Sequence, residues 1–296
     1  MPRVAIVSIG VEGSSETLPL GAATVVAALR AEPRLAGRLE AFILEGEEGG
    51  TAAGLAEALR KAGADWVGFS LYSWNRGIAL EAARRLRAAF PGMLLFAGGP
   101  EATADPARVL SEGSLDFVVA GEGESACADL LARLLDSPKP REAVARLGAL
   151  AGIETPTAPA GGRRTAVEDP AGLASPWLAG MRGRGPEPVL DPRGRESLLW
   201  ELARGCPFRC AYCYESKGES GVRRFPMDRI EAELELFVRA QAGQVFVLDP
   251  TFNADRERAA RLLALFARKA PGVRWKFEIR AELLDRRLAR AFSALD

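Results

Sequence analysis

Along the first 135 residues the apolar positions alternate between two spacings: short β-rich runs, and longer segments in which apolar residues recur every three or four positions. Residues 4–9, Val-Ala-Ile-Val-Ser-Ile, are rich in β-branched side chains and close on Gly10. Residues 20–31 are alanine-rich and stop ahead of Pro33, so a strand is followed by a helix. The alternation continues with a strand at 39–44, a helix at 52–62 and a strand at 66–70. The helix expected at 77–90 places Ile78, Ala82, Leu86 and Phe90 on one side and its charged residues on the other. A fourth strand at 93–97, a short helix at 105–111 and a fifth strand at 116–119 lead to the amphipathic segment that carries Cys127. Five such units in this length imply an α/β fold, an open parallel sheet with helices on both faces.

The pattern lapses at 136–196, where Pro, Gly and Arg crowd together at 155–164 and 182–186 and no period of 2 or 3.6 persists. A surface-wrapping linker is expected there, with Trp177 as its docking point. Its arginines are interrupted by Glu168, Asp169, Glu187 and Asp191, which suits a solvated linker better than an RNA-binding arm. From Ser197 strand, loop and helix resume: an apolar run at 197–203, a helix at 227–240 with Ile230, Leu234, Phe237 and Val238 inward, and a strand at 244–248. A helix capped by Asp255, a strand at 273–280 and a last helix at 283–295 complete three units. The expected division is therefore 1–135, 136–196 and 197–296, and the strands of the last part end in polar groups, where a (β/α) barrel sets its active site.

Lys and Arg number 39, as do Asp and Glu, so no global basic field exists to attract nucleic acid. No apolar run approaches the ~20 residues of a membrane helix, and the N-terminus lacks a secretory apolar core. A cytoplasmic protein is expected, with no nucleic-acid or membrane partner, in a compartment that keeps thiols reduced. The chain has no histidine, which removes the usual neutral-pH base and the usual nitrogen metal ligand.

Three of the four cysteines, Cys206, Cys210 and Cys213, stand in a C-x3-C-x2-C run. Thiolates this close can converge on one inorganic centre. Zinc usually takes four ligands in a closed tetrahedron, and iron–sulfur cubes usually take four cysteines. The fourth, Cys127, reads as a small buried hydrophobe in a helix, and no histidine can complete the set. Two readings stay open on the residues alone: a three-thiolate iron–sulfur cluster with one iron vacant, or a zinc or structural-cluster module whose sheet domain binds a nucleotide or a partner.

With the aromatic Tyr212 just before its last cysteine, the run resembles the signature of the radical S-adenosylmethionine (SAM) superfamily. The resemblance implies that Cys206, Cys210 and Cys213 hold a [4Fe-4S] cluster and that SAM chelates the vacant iron. An electron from the cluster then splits the sulfonium to methionine and a 5′-deoxyadenosyl radical. It also implies that Tyr212 belongs to the cofactor site and that 197–296 form the first half of a partial (β/α)6 TIM-like barrel. Three units are present where the family has six, so an unpaired edge strand is expected, completed by further chain or by another molecule. Asp249-Pro250-Thr251-Phe252-Asn253 replaces the family's Gly-Gly-Glu type motif and resembles the Asp-x-x-Phe form of cobalamin-linked members, which implies that Asp249 serves SAM. Glu278 and Arg280, at the next strand end, are expected at the SAM ribose or carboxylate, with a surface ion pair as the plainer reading; Arg223 likewise meets the SAM carboxylate or faces water.

In the first part, glycine- and serine-rich loops follow four strands: one after Gly10, then Ser70-Leu71-Tyr72-Ser73-Trp74-Asn75, Gly98-Gly99-Pro100-Glu101 and Gly121-Glu122-Gly123-Glu124. Singly each is a tight turn; together, at the carboxyl ends of parallel strands, they mark a ligand edge. These loops resemble the Rossmann-like (flavodoxin-like) cobalamin-binding domain that precedes the radical SAM domain in one large subfamily. Ser70, Gly98, Gly99, Gly121 and Glu122 are then the implied cofactor-lining residues. The D-x-H-x-x-G motif is missing, so an implied cobalamin has no histidine as axial ligand. The implied function is radical SAM catalysis, through cobalamin-dependent methyl transfer or another C–H modification. Its implied substrate is a small molecule or peptide, and its implied electron source a reducing donor such as flavodoxin or ferredoxin. A platform domain that has lost cobalamin is the variant reading.

Overall fold

The structure is a computed structural model that describes residues 1–11, 18–47, 49–148, 150–158, 166, 169–178, 188–195, 197–213 and 221–295. Two compact units emerge: Met1–Val167 with Ala174–Val189, and Glu168–Leu173 with Leu190–Asp296.

In the first unit strands β1 (Arg3–Gly10), β2 (Glu40–Glu47), β3 (Trp66–Ser70), β4 (Leu94–Gly98) and β5 (Phe117–Val119) alternate with helices α1 (Leu20–Ala31), α2 (Ala52–Lys61), α3 (Arg76–Ala89), α4 (Pro100–Ala104), α5 (Pro106–Gly113) and α6 (Gly123–Leu134). The sheet runs β2-β1-β3-β4-β5, all parallel, so the order reverses between β1 and β3. Strands β3 and β4 are buried at four successive residues each, as expected where helices cover both faces. The pleat of β1 sorts its residues between two cores. Val4 and Ile6 join Val26 and Leu29 of α1 and Leu130 and Leu131 of α6. Ala5, Val7 and Ile9 join Leu59 of α2 and Leu80 and Leu86 of α3. Each such side chain contributes roughly 1.5–3 kcal/mol through burial.

Residues 136–158 depart from the expected linker. Helix α7 (Pro140–Ala145) packs on α6, and strand β6 (Ile153–Glu154) extends the sheet by pairing antiparallel with β5. Trp177, the expected docking residue, is buried in a segment that groups with the first unit, while Leu173 groups with the second. Other parts of the expected linker, 159–165 and 179–187, lie outside the described residues.

The second unit holds a three-stranded parallel sheet of β7 (Leu198–Trp200), β10 (Gln244–Val247) and β11 (Arg274–Phe277), in the order β11-β10-β7. A two-stranded antiparallel ribbon, β8 (Ala203–Arg204) with β9 (Arg223–Arg224), forms the feet of the thiol loop. Helices α8 (Met227–Arg239), α9 (Arg256–Lys269) and α10 (Arg286–Ser293) complete it. Its core is aromatic: Trp200 meets Phe237 edge-on at 5.2 Å, and Phe266 stacks on Trp275 at 4.3 Å. The Trp200 indole donates to Glu233 at 2.6 Å, and Glu233 pairs with the equally buried Arg229 at 2.9 Å. Arg229 donates in turn to the Leu173 carbonyl and lies 4.2 Å over the Phe225 ring. Removing one partner of such a buried pair typically costs 3–5 kcal/mol, about as much as emptying a large core side chain. Among the described residues no helix is long and apolar enough to cross a membrane.

Candidate cofactor sites

At the carboxyl edge of the first sheet, Ser70 and Gly98 sit opposite one another in register at the ends of β3 and β4. Two buried side chains tie this edge together. Asn75, just before α3, accepts the Tyr72 N–H at 2.9 Å and donates to the carbonyls of Ser70 at 3.0 Å and Ile9 at 3.4 Å, joining β3 to β1. Thr103 on α4 donates its hydroxyl to the Gly99 carbonyl at 2.8 Å and accepts the Gly121 N–H at 3.0 Å, joining β4 to β5. Between β3 and β4 the Leu71 N–H donates to the Gly98 carbonyl, and the Glu101 N–H donates to that of Leu71.

This stitching explains one glycine of the pair and not the other. Gly99 has φ +94°, and a Cβ there would lie 2.8 Å from the Leu71 carbonyl oxygen, so the fold itself demands glycine. At Gly98 a Cβ would make ordinary van der Waals contact with Val119, its carbonyl oxygen at 3.8 Å and its Cβ at 3.9 Å, so the fold itself does not demand glycine there. Glu122 is half-buried immediately before α6. Tyr72 and Trp74 stack at 4.4 Å, with Trp74 42% exposed and its indole donating to the Ile9 carbonyl. The loop after β1 at 12–17 lies outside the described residues.

In the second unit the thiol loop leaves β8 through Gly205, at φ +83°, where a Cβ would stand 2.5 Å from the Gly221 carbonyl oxygen. Only glycine lets the two feet cross this closely. Cys206, Cys210 and Cys213 are all half-buried, and the Cys213 N–H donates to the Cys210 carbonyl, turning the chain between them. Tyr212, on that turn, is 90% exposed. Residues 214–220 lie outside the described residues. Among the described residues no three Cys, Asp or Glu side chains gather tightly enough to hold a single metal ion. A zinc site needs its ligands to meet within ~2.3 Å of one atom, whereas a four-iron cube takes each thiolate on a different iron. Cys127 is buried in the core of the first unit, its thiol pushed up to about 12 by burial, which is the behaviour of a small hydrophobe.

The segment 249–253, between β10 and α9, supports the loop from below. Asp249 sits inside the protein instead of facing a ligand: its Oδ1 accepts the N–H groups of Leu202 at 2.8 Å and Ala203 at 2.9 Å, just ahead of the thiols. Burial pushes its carboxyl up to about 7 against the pull of those two N–H groups. Arg258 of α9 clamps the same stretch from the other side, donating to the carbonyls of Leu202 and Phe225. Thr251 Oγ1 lies 3.4 Å from Cys206 Sγ. Asn253, buried, holds the strand end that carries Arg280, and Arg280 Nη1 donates to Cys210 Sγ at 3.4 Å. Glu278 has an exposed side chain and contributes its carbonyl, which accepts the Phe252 N–H. The structure thus gathers Cys206, Cys210, Thr251 and Arg280 around one loop, while the side chains of Asp249, Glu278 and Tyr212 point to different surroundings. Asn75, Thr103, Thr251 and Asn253 carry the support, and no motif assigns them that role, although Asn75 ends the Ser70 loop and Thr251 and Asn253 stand inside the motif that names Asp249.

The α/β edge and the strand-supported loop of three thiols are the two candidate cofactor sites. Family models agree: residues 6–131 match the B12 binding domain and residues 200–296 the radical SAM superfamily. The chain belongs to the radical SAM superfamily, in the group whose radical SAM domain follows a B12-binding domain. It is 31% identical to 2-(S-pantetheinyl)-carbapenam-3-carboxylate methyltransferase of Streptantibioticus cattleyicolor over 80% of this chain and 34% of that one. It is likewise 31% identical to the cobalamin-dependent radical SAM methyltransferase TokK of Streptomyces tokunonensis, over 64% of this chain and 28% of that one. The chain thus spans about a third or less of the length of these relatives. In fold it is similar to the radical SAM methyltransferase TsrM of Kitasatospora setae, solved with cobalamin and a [4Fe-4S] cluster, with TM-score 0.69 and 17% identity over 100% of this chain and 59% of that one.

Proposed function

We propose that this chain carries the cofactor machinery of a cobalamin-dependent radical SAM methyltransferase acting on a small molecule. One observation supports this above the others: the C-x3-C-x2-C loop rests on Thr251 and Arg280 at the carboxyl ends of parallel strands, in the same chain as a glycine-lined B12-type edge. When bound, the cluster and SAM supply one-electron cleavage of the sulfonium, and cobalamin supplies a carrier for the methyl group. The chain's own share would be to hold the cluster through three thiolates, while Cys127 is buried in the core of the first unit. On the other unit, Ser70, Gly98, Gly99, Gly121 and Glu122 line the edge for the corrin, and Gly98 is a glycine that the surrounding fold does not itself require. This chain has no histidine to offer a bound cobalamin. The carbapenam relative's named substrate bears a pantetheinyl thioether, which favours a small molecule, free or pantetheine-linked, as the substrate class. A low-potential donor such as flavodoxin or ferredoxin delivers the electron.

Anaerobic reconstitution with iron, sulfide, SAM and dithionite tests the reading. A brown protein that forms 5′-deoxyadenosine and binds cobalamin in the dark is the expected result, and Cys210→Ala should lose iron and product together. A colourless protein that takes up zinc in place of iron, or product formation surviving Cys210→Ala, contradicts it.

A further inference from the structure

Arg280 differs from the other polar groups at the strand ends of the second unit in how firmly it is held. One buried amide grips its main chain at both polar atoms: the Arg280 N–H donates to Asn253 Oδ1 at 2.9 Å, and Asn253 Nδ2 donates to the Arg280 carbonyl at 2.8 Å. Asn253 itself is 0% exposed. The guanidinium then lies 4.0 Å over the Phe208 ring, inside the thiol loop, and reaches Cys210 Sγ through Nη1. Glu282 pairs with the remaining side of the fork. Arginine stays charged at every accessible pH, and its planar head both stacks and donates. So fixed, the guanidinium is shared between the Glu282 carboxylate and one sulfur, that of Cys210.

A donor and positive charge beside a cluster thiolate favour the more negative, reduced form of the cluster, which raises its reduction potential. We infer that Arg280 is a positioning residue for the iron–sulfur cluster, fixing Cys210 and raising the cluster's potential, in place of the SAM contact its strand-end position suggests. This rests on the cluster of the proposed function.

The test is a dithionite titration of the reconstituted chain without SAM, following the reduced cluster by electron paramagnetic resonance and counting iron and sulfide. Arg280→Met should hold the parent's iron yet be harder to reduce by about tenfold in equilibrium constant, which for one electron is about 59 mV more negative. An unchanged potential overturns the inference, whether or not SAM affinity falls. If Arg280→Met holds no iron, Asn253→Ala, which keeps the guanidinium but frees its strand end, carries the measurement. Retained iron with a more negative potential supports the inference, and an unchanged potential overturns it. A parent chain that takes up no iron is a separate outcome and rejects the proposed function along with this inference.

Discussion

In the first unit the strand ends are tied to one another by two buried side chains, Asn75 and Thr103, whereas in the second they are tied to a loop that carries the thiols. The two arrangements suit different ligands. In the first unit Asn75 and Thr103 sit below the edge and bridge β1 to β3 and β4 to β5, as the proposed large flat cofactor would require. A metal cluster needs thiolates at set positions, and side chains outside the thiol loop hold two of them. Hence the second unit grips the loop's feet with Asp249 and Arg258 and its sulfurs with Thr251 and Arg280. Rigidity is placed between strands in one case and between strand and loop in the other.

Substitution at the glycine pair breaks this comparison most sharply. Gly99→Ala forces a Cβ into the Leu71 peptide at positive φ, and the first unit should lose about 3 kcal/mol of unfolding free energy in urea, with cobalamin uptake lost as well. Gly98→Ala makes only ordinary contact with Val119, so its unfolding free energy should stay within ~1 kcal/mol of the parent while cobalamin affinity, read by dark titration, falls. Equal effects at the two positions would mean that both glycines serve only the turn. A smaller effect is expected from Thr103→Val, which keeps the shape but removes the bridge between the Gly99 carbonyl and the Gly121 N–H. Roughly 1–2 kcal/mol should be lost, and faster amide exchange should be confined to Gly121 and its neighbours.

Elements that rest on local patterning are legible in the sequence. Helix α1 has the expected bounds, and β3 and its neighbours fall within a residue or two of theirs, because apolar periodicity is written into consecutive positions. Strand β6 and helix α7 are not legible there, since their two and six residues are too short to show a period. Strand β11 also ends sooner than expected, at Phe277, because the Glu278 and Arg280 main chains are taken by Phe252 and Asn253 instead of a neighbouring strand. In the site, the thiols were legible because their spacing is covalent. The supports were not: Asn75, Thr103 and Asn253 each bond backbone of another loop, and which loops meet is decided by strand order. Asp249 shows the limit from the other side, since its motif marked the right loop while its carboxylate turned inward to the backbone.

That inward turn gives the second unit a pH signature that the first unit's neutral bridges lack. The unfolded Asp249 carboxyl titrates near 3.8, and in the folded chain burial raises it to about 7. Between those values the folded protein keeps a proton that the unfolded chain has released. Stability from this group is therefore fully present below the lower value and is lost as pH rises through the upper one. Asn at 249 offers the same acceptor oxygen to Leu202 and Ala203 with nothing to titrate. In urea unfolding of the cluster-free chain, the parent should weaken from about pH 5 to about pH 8 more than Asp249→Asn does, the two lying within ~1 kcal/mol of each other at the lower pH. Identical pH slopes would show that the folded carboxylate is charged throughout, held so by Arg258. The grip on the thiol loop would then be ionic, not a neutral pair of N–H bonds.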